Sequence, residues 1–498
     1  MVDSLRPLHR APASRPPVAW SRLASIAGCL AVLLAWLSWF REWYGDELYL
    51  LAAGHHLSWG YADQPVLMPL LARVGEVALG GSRIGVRMPA VLAAVAGVLI
   101  TGLIAREFGG GRGAQSLAAA TYAISPQTLN SGSLLQTQAV DAIAWAVTTW
   151  LVVRWVRLRD GLSLLLIGVT GAVAVQGKYL IVVLWAACFL AAALIGPREV
   201  FRRPALWVGA GASMLAMVPY LRWQHRHDWP QLRLVGAVRE ETADTASGPL
   251  AFLPLTVLVA GVIAGAVLFV YGLWRLLRST ALAEHRFLGW ACAAVVVTFL
   301  VTGGRYYYCA GLFPLCFAAG SVELLHRTAA TPRRAALIGL VWPASAVLAV
   351  VVVLVPSPVP GTGVVTAPAA RGSAGWPELA DAVALAYQRS PAGRGAPVIT
   401  NHYWQASALD RYGQQRGLPR AHSPHRGYWF FGVPPDADTA LFVGADPGPL
   451  RANFRSTRKL TTWRGGLGHA GISTDVPIWL CEGRNAPWDQ VWPSLYEP

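Results

Sequence analysis

Charged side chains stand at the ends of several long apolar runs in this sequence. Asp46 and Glu47 follow the first run, Asp141 stands near the start of the fourth, and Lys178 lies in a very short turn between the fifth and sixth. Charges are costly in or beside hydrocarbon, so charges at these places need a reason. Chemistry on a phosphate-bearing substrate is one such reason, because a carboxylate takes a proton from a hydroxyl and a cation stabilises a leaving phosphate.

A second group of polar residues is predicted at the same level. Asp63 ends a short segment after the first run, and Arg305 opens the tenth run just before Tyr306 and Tyr307. An arginine suits a phosphate because its guanidinium donates several hydrogen bonds in a fixed plane. We therefore group Asp63, Arg305, Tyr306 and Tyr307 with Lys178 as candidate ligands of a sugar or a lipid phosphate.

A divalent metal ion is a further candidate partner. Glu47, Asp63 and His225 offer oxygen and nitrogen ligands in two segments that are predicted to lie on the same side of the membrane. Their spacing matches no compact metal-binding motif. The sequence therefore names a candidate metal set without establishing that the protein needs a metal.

Each of these residues also has a plainer interpretation, which the sequence leaves open. Helix dipoles favour terminal acids, long basic side chains reach the interface, and tyrosines collect at membrane surfaces. The plainer interpretations are a solvated helix start for Asp46 and Glu47, a helix-terminal acid for Asp141, an interfacial lysine for Lys178, a basic flank on the other face for Arg305, an ordinary interface residue for His225, and an aromatic belt for Tyr306 and Tyr307.

The composition places these residues in a membrane protein. Of 498 residues, 54% are hydrophobic and only 13% are charged, whereas a soluble domain carries roughly 25% charged residues. The net charge is +15, but the arginines concentrate in short segments between apolar runs. That pattern is typical of cytoplasmic loops and not of nucleic-acid binding. The six cysteines form no C-x-x-C pair, so neither a disulfide framework nor a zinc site is predicted.

The apolar runs predict an all-α polytopic bundle of about 11 spans, or up to 13. Because a span needs ~20 apolar residues and sometimes ~17, the shorter runs leave the count open. Loop charge then predicts a cytoplasmic tail, residues 1–22, and a transmembrane domain, residues 23–355, with long outer loops at 41–85 and 222–249. The predicted spans are 23–40, 86–105, 114–129, 139–153, 162–177, 179–196, 204–221, 250–273, 287–302, 306–325 and 335–355.

The composition changes after the last run. Pro356, Pro358 and Pro360 with the glycines at 361 and 363 indicate a linker. Beyond it, short apolar runs at 397–400 and 440–443 predict strands, and 378–388 and 406–412 predict helices. We therefore expect residues 356–498 to form a small α/β domain on the outer side.

Several segments of the sequence resemble those of a known family. Residues 41–71, REWYGDELYLLAAGHHLSWGYADQPVLMPLL, resemble the first outer loop of the family 39 glycosyltransferases, which include protein O-mannosyltransferases and lipid A aminoarabinose transferases. The segment 401–413 resembles the outer domain of actinobacterial-type members. Four further segments agree in order with the family: QAVDAIAW at 138–145, GKYL at 177–180, WQHRHDWP at 223–230 and GRYYYCAGLFP at 304–314.

The resemblance implies a GT-C bundle with an outward-facing site. It implies that Asp46 is the catalytic base, that Asp141 is a second acid at the site, and that Lys178 faces the lipid phosphate. The chain departs from the aminoarabinose branch at residues 63–65, which read Asp-Gln-Pro where that branch has an acid followed by Lys-Pro. One cation is therefore missing, and Arg305 is the candidate to replace it. The chain also lacks the long insertion of eukaryotic protein mannosyltransferases, so a protein acceptor is not favoured.

The expected function is transfer of a sugar from a polyprenyl-phosphate donor to an acceptor hydroxyl on the extracytoplasmic face of the plasma membrane, with inversion. Glu47 would support Asp46, and the acceptor is a glycan, a lipid or a protein. Apart from the lipid bilayer, no further partner is predicted, and nucleic acid is not one. One alternative is a transporter or flippase, which would be indicated by internal repeats and broken spans. The other is a noncatalytic scaffold that presents the outer domain.

Overall fold

The computed structural model describes residues 15–244, 249–327, 331–355, 367–390 and 395–498. It contains a bundle of apolar helices followed by a small domain built on a five-stranded sheet. This confirms the predicted fold class of a polytopic helical bundle with a C-terminal α/β domain. The predicted linker at 356–363 and the first fourteen residues of the predicted tail lie outside the described residues.

The bundle is helical throughout the described part of the chain. Short 3-10 helices at Arg198–Arg202, Ala283–His285 and Tyr306–Leu312 interrupt the longer elements. The α-helices are Trp20–Phe40 (α1), Gly45–Gly54 (α2), Leu67–Ala78 (α3), Arg83–Glu107 (α4), Arg112–Ala123 (α5), Pro126–Gly132 (α6), Thr137–Leu158 (α7), Gly161–Ala174 (α8), Ile181–Ile195 (α9), Pro204–Arg226 (α10), Pro230–Asp244 (α11), Pro249–Ala260 (α12), Ala264–Arg278 (α13), Arg286–Thr302 (α14), Phe313–Arg327 (α15) and Pro332–Leu354 (α16).

By length and composition, seven helices of the described chain can cross a membrane, which makes this a multi-pass membrane protein. An eighth span results if α12 and α13 are counted together, although they are bent by 110°. The predicted spans at 162–177 and 179–196 correspond to the shorter apolar helices α8 and α9. The predicted span at 114–129 is divided between α5 and α6, because Pro126 starts a new helix. The predicted count of 11 therefore remains unconfirmed.

The two long segments that were predicted as loops are mostly helical. The first holds α2 and α3. The second was expected to start at residue 222, but α10 continues to Arg226 and α11 follows directly from Pro230. Proline is favoured in the first turn of a helix, where it has no hydrogen bond to lose, so Pro230 marks the start of α11.

The C-terminal domain contains a mixed sheet. Its strands are Val398–Thr400 (β1), Ala421–His422 (β2), Thr439–Val443 (β3), Phe454–Trp463 (β4) and Val476–Arg484 (β5), in the order β2-β1-β3-β5-β4. Strand β1 pairs in parallel with β2 and β3, whereas β5 pairs antiparallel with β3 and β4. The helices are Pro368–Gly372 (α17), Trp376–Arg389 (α18), Tyr403–Tyr412 (α19), Gly448–Arg451 (α20) and Trp488–Val491 (α21), with a 3-10 helix at Arg426–Phe431.

The four elements predicted in this domain are therefore confirmed, whereas the β4–β5 hairpin was missed. Strand β4 reads FRSTRKLTTW, and most of its side chains are exposed or half-buried. A strand with so many basic and small polar residues carries little of the apolar alternation by which a half-buried strand is recognised.

The C-terminal domain shares a hydrophobic core with the segment that follows α1. Leu48, Tyr49 and Leu51 of α2 belong to the same buried cluster as Trp376 and Leu409 of the C-terminal domain. The first turn of α2 approaches α19 so closely that a Cβ on Gly45 would lie 2.3 Å from the ring of Trp404. The C-terminal domain is therefore packed on α2, and this packing determines the surroundings of Asp46.

Candidate functional site

Asp46 and Glu47 are adjacent in the first turn of α2 but have different surroundings. Successive residues of an α-helix project about 100° apart, so the two side chains of this pair must point to different places. Glu47 is completely buried. Its carboxylate accepts two hydrogen bonds from the guanidinium of Arg87, at 2.8 and 2.6 Å, and further ones from the backbone N–H groups of Leu135 and Tyr44.

Glu47 is thus part of a structural ion pair. Arg87 also donates to the backbone carbonyls of Ser38, Arg41 and Glu42, at 2.7 to 2.9 Å. These contacts connect the end of α1, the start of α2 and the start of α4. Both oxygens of Glu47 are occupied by protein donors, so its contacts are those of an anchoring residue.

Asp46 points toward the C-terminal domain. Its Oδ1 accepts a hydrogen bond from the hydroxyl of Tyr403 at 2.9 Å and another from Nε1 of Trp404 at 2.8 Å. Both donors belong to the first turn of α19, more than 350 residues away in the sequence. Sequence reasoning did not identify them as site residues, and the only available signal was that 401–413 resembles a family segment.

Asp63 is connected to Tyr403 through Tyr49. Its Oδ1 accepts a hydrogen bond from Tyr49 at 2.8 Å, and the Tyr49 ring meets the Tyr403 ring edge-on at 5.0 Å. Burial raises the pKa of Asp63 to about 6, while the Tyr49 hydrogen bond and the positive charge of Arg426 act in the opposite direction. The two carboxylates thus belong to one network that includes residues of the C-terminal domain.

Lys178 and Asp141 form the second part of the site. Nζ of Lys178 lies 3.3 Å from the hydroxyl of Thr137 and 4.6 Å from the ring centre of Tyr308. Asp141 is one turn further along α7 from Thr137 and accepts a hydrogen bond from Nε1 of Trp145 at 3.0 Å. Because Lys178 contacts Thr137, one turn before Asp141 on the same helix, these two predicted residues lie in the same part of the structure.

Tyr44 connects the two parts of the site. Burial raises the pKa of Tyr44 well above its usual value; the charges of Asp46 and Tyr307 add to this effect and that of Arg305 opposes it. Arg305 in turn donates to the hydroxyl of Tyr307 at 3.4 Å. Asp46 and Arg305 are therefore close enough to act on the same phenol.

Tyr306, Tyr307 and Tyr308 form a continuous aromatic surface between Arg305 and Lys178. Their neighbouring rings meet edge-on at 5.3 and 5.2 Å. Seven of the predicted site residues thus come together at the end of the bundle that carries the C-terminal domain. They are Asp46, Asp63, Asp141, Lys178, Arg305, Tyr306 and Tyr307.

The predicted metal set does not come together. In the described part of the chain, no three His, Cys, Asp or Glu side chains form a group that could hold a metal ion. Glu47 is enclosed by Arg87, and His225 is exposed at the end of α10. Glu47 and Asp63 project from different elements toward different partners, so the structure does not bring Glu47, Asp63 and His225 together.

Gln64 is a buried polar residue that follows Asp63 in the Asp-Gln-Pro segment at 63–65. Its side chain is buried, and its Nε2 has no hydrogen-bond acceptor within the described ranges. A buried amide without a partner costs free energy unless something accepts its hydrogen bond. This donor, on the residue that follows Asp63 in the chain, is therefore left unsatisfied within the described structure.

Comparisons with known proteins give a family-model match and several structural matches. Residues 63–223 match the family model described as dolichyl-phosphate-mannose-protein mannosyltransferase. No curated protein sequence matches the chain significantly.

Among solved structures, the chain is similar to ArnT from Cupriavidus metallidurans bound to undecaprenyl phosphate, at 15% identity and a TM-score of 0.60, over 96% of this chain and 99% of that one. The apo state of that protein matches equally well. A mutant of the arabinofuranosyltransferase AftD from Mycobacteria matches with 14% identity and a TM-score of 0.50, over 95% of this chain and 42% of that one.

The two kinds of comparison cover different parts of the chain. The family model includes Asp63, Asp141 and Lys178, whereas the structural match extends over the bundle and the C-terminal domain together. The chain therefore shares the fold of ArnT across both the bundle and the C-terminal domain.

Proposed function

We propose that this protein transfers a sugar, with inversion, from a polyprenyl-phosphate donor to an acceptor hydroxyl at the outer face of the cell membrane. The observation that carries the proposal is that Asp46, a candidate base, and the cations Lys178 and Arg305 occupy the same end of the bundle, around Tyr44 and the tyrosines at 306–308. ArnT, which has the same fold, binds undecaprenyl phosphate. A lipid phosphate therefore fits as the donor's leaving group.

Asp46 is the general base in this proposal. Tyr403 and Trp404 both donate to Oδ1, and no hydrogen bond to Oδ2 is found in the described parts of the chain. Oδ2 is then the oxygen that takes the proton of the acceptor hydroxyl. A base needs to lie within about 3 Å of the proton it removes, so the acceptor must enter beside α2 and α19.

The remaining residues act on the donor. The acceptor oxygen forms its bond to the anomeric carbon while the bond from that carbon to the phosphate oxygen breaks, and the lipid phosphate leaves with the electron pair. Lys178 and Arg305 stabilise the charge that develops on this phosphate. Asp141, Asp63 and the amide of Gln64 hold hydroxyls of the sugar or the acceptor.

The distribution of charge supports a cytoplasmic N-terminus and an outer C-terminal domain. At the opposite end of the bundle, Glu107 pairs with Arg15 and Arg157, and Glu323 pairs with Arg275 and Arg327. Clusters of arginine in short connections are typical of the cytoplasmic side. With that end inside, the candidate site faces outward.

The proposed function is tested by comparing cell envelopes with and without this protein by mass spectrometry. We expect one sugar substituent to disappear in its absence. The purified protein in nanodiscs is then given a panel of undecaprenyl-phosphate mannose, glucose and arabinofuranose, and release of undecaprenyl phosphate is measured. Unchanged envelopes together with sugar-lipid uptake into proteoliposomes, without release of lipid phosphate, would instead identify a transporter.

Lys178→Gln is expected to weaken binding of undecaprenyl phosphate by roughly 10- to 100-fold, because a hydrogen bond to a charged group contributes about 1.5–3 kcal/mol. The chain has only two lysines, Lys178 and Lys459. Lys459→Gln, on strand β4 of the C-terminal domain, is therefore the matched control and should bind normally.

The same pair of lysines permits a chemical measurement. Undecaprenyl phosphate should protect Lys178, but not Lys459, from acylation by an amine-reactive reagent, as measured by peptide mass spectrometry. Equal labelling of Lys178 with and without saturating lipid phosphate would remove this residue from the proposed phosphate site.

A further inference from the structure

The 3-10 helix at Arg426–Phe431 places its first residues between Asp46 and Asp63. Arg426 has a φ of +52°, a left-handed conformation that is unfavourable for residues with a side chain. Its N–H donates to the carbonyl of Glu497 at 2.7 Å, near the end of the described chain. A strained residue held in this way is a candidate for function, because the surrounding structure must maintain it.

Gly427 fixes the depth of this insertion. A Cβ at this position would lie 1.9 Å from the hydroxyl of Tyr49 and 3.3 Å from Oδ1 of Asp63. The backbone of residues 426–427 therefore lies directly against the Tyr49–Asp63 pair, and a larger residue would push Arg426 away from it.

The Arg426 side chain acts on Tyr403. Its Nη1 donates to the Tyr403 hydroxyl at 3.2 Å, and its guanidinium carbon lies 5.1 Å from the centre of the Tyr403 ring. A phenol carries one proton. When its oxygen accepts from Arg426, that proton is directed to Asp46, which the Tyr403 hydroxyl contacts at 2.9 Å.

We propose that Arg426 is a positioning residue contributed by the C-terminal domain, which orients the Asp46 carboxylate through Tyr403. This inference rests on the proposed function, because it assigns Arg426 to the base of that reaction. The C-terminal domain is then a part of the active site, and a chain without it would lack a correctly held base.

The charge of Arg426 affects how the rate of sugar transfer depends on pH. The groups that interact electrostatically with Asp63 are mostly tyrosines from several elements, with one carboxylate and one cation: Tyr49, Asp46, Tyr61, Tyr179, Tyr220, Tyr403, Tyr496 and Arg426. Burial raises the pKa of Asp63 to about 6, and Arg426 opposes the rise. Removal of the arginine charge raises this pKa further, so the acidic limb of the rate profile moves to higher pH.

The test compares Arg426→Gln, Arg426→Lys and Tyr403→Phe in nanodiscs, using the undecaprenyl-phosphate sugar that the wild type consumes. We expect Arg426→Gln to lower kcat by roughly 10- to 100-fold with little change in KM, as for other groups that act on a general base. The acidic limb of its pH–rate profile should move to higher pH by about 1 unit, the lower end of the effect of a nearby charge on a pKa. Arg426→Lys should restore the position of the limb but only part of kcat.

Two further measurements separate this role from a structural one. If Arg426 acts through Tyr403, the double variant Arg426→Gln/Tyr403→Phe should lose little more kcat than Tyr403→Phe alone. Arg416→Gln, which removes a half-buried arginine paired with the exposed Asp381, should behave as the wild type. Additive losses, or an unmoved acidic limb in Arg426→Gln, would overturn the inference even if Asp46→Asn is inactive. Full activity of Asp46→Asn would overturn the proposed function itself.

Discussion

Asp46→Asn is expected to lower the rate of sugar transfer by roughly 10²- to 10⁴-fold, the contribution typical of a general base. The asparagine keeps the shape of the side chain, and its carbonyl oxygen still accepts from Tyr403 and Trp404, as Oδ1 of Asp46 does. The variant should therefore fold and insert normally while it lacks a group that can take the proton. Initial rates of undecaprenyl phosphate release in nanodiscs measure the loss, and thermal unfolding measures the folded state.

A carboxylate in the same segment provides the control. Glu42 is exposed and pairs with Arg83 at 2.6 Å, so Glu42→Gln removes one negative charge close to Asp46 without touching the site. We expect this variant to retain the wild-type rate. If Asp46→Asn turned over within a few-fold of Glu42→Gln, another group would have to be the base.

The sequence predicted the positions of most site residues because they lie at helix ends. Apolar runs with arginine-rich connections define which ends face the same side, and this places Asp46, Asp141 and Lys178 at one level. The structure brings Lys178 and Asp141 together and places Asp46 near Arg305. Their proximity to a substrate stays a prediction.

The partners of these residues were harder to predict, because they depend on contacts between distant segments. Tyr403, Trp404 and Arg426 reach the site only because the C-terminal domain packs on α2. No local pattern in the sequence specifies that packing. The strained backbone of Arg426 is likewise a product of tertiary structure, since nothing in the sequence RGYWFF requires a positive φ.

Arg87 is a residue that could have been found from the sequence. It lies inside the predicted span 86–105, where an ionisable residue needs a partner because its charge is costly there. Glu47 is an acid at the same predicted level of the membrane. Pairing the two would have separated Glu47, the anchor, from Asp46, the candidate base, before the structure was known.

Glu47→Gln is expected to destabilise the protein by about 3–5 kcal/mol, the cost of removing one partner of a buried ion pair. Arg87 is completely buried beside Glu47, so its charge would be left without a counterion. The amide also replaces one acceptor oxygen by a donor, which opposes the N–H group of either Tyr44 or Leu135, since these two groups donate to different oxygens of Glu47. The expected result is a large drop in the thermal unfolding temperature in detergent and a low yield of folded protein.

The neighbouring pair Glu42–Arg83 again offers a matched comparison, since it joins the same two segments at the surface. Glu42→Gln should change the free energy of unfolding by about 0–1 kcal/mol, as for other exposed ion pairs. The double variant Glu47→Gln/Arg87→Met should not recover stability, because Arg87 also satisfies three backbone carbonyls, those of Ser38, Arg41 and Glu42. If the double variant were as stable as the wild type, these backbone contacts would be dispensable, and the position of Asp46 at the start of α2 would have to be maintained by the packing against Trp404 and the C-terminal domain instead.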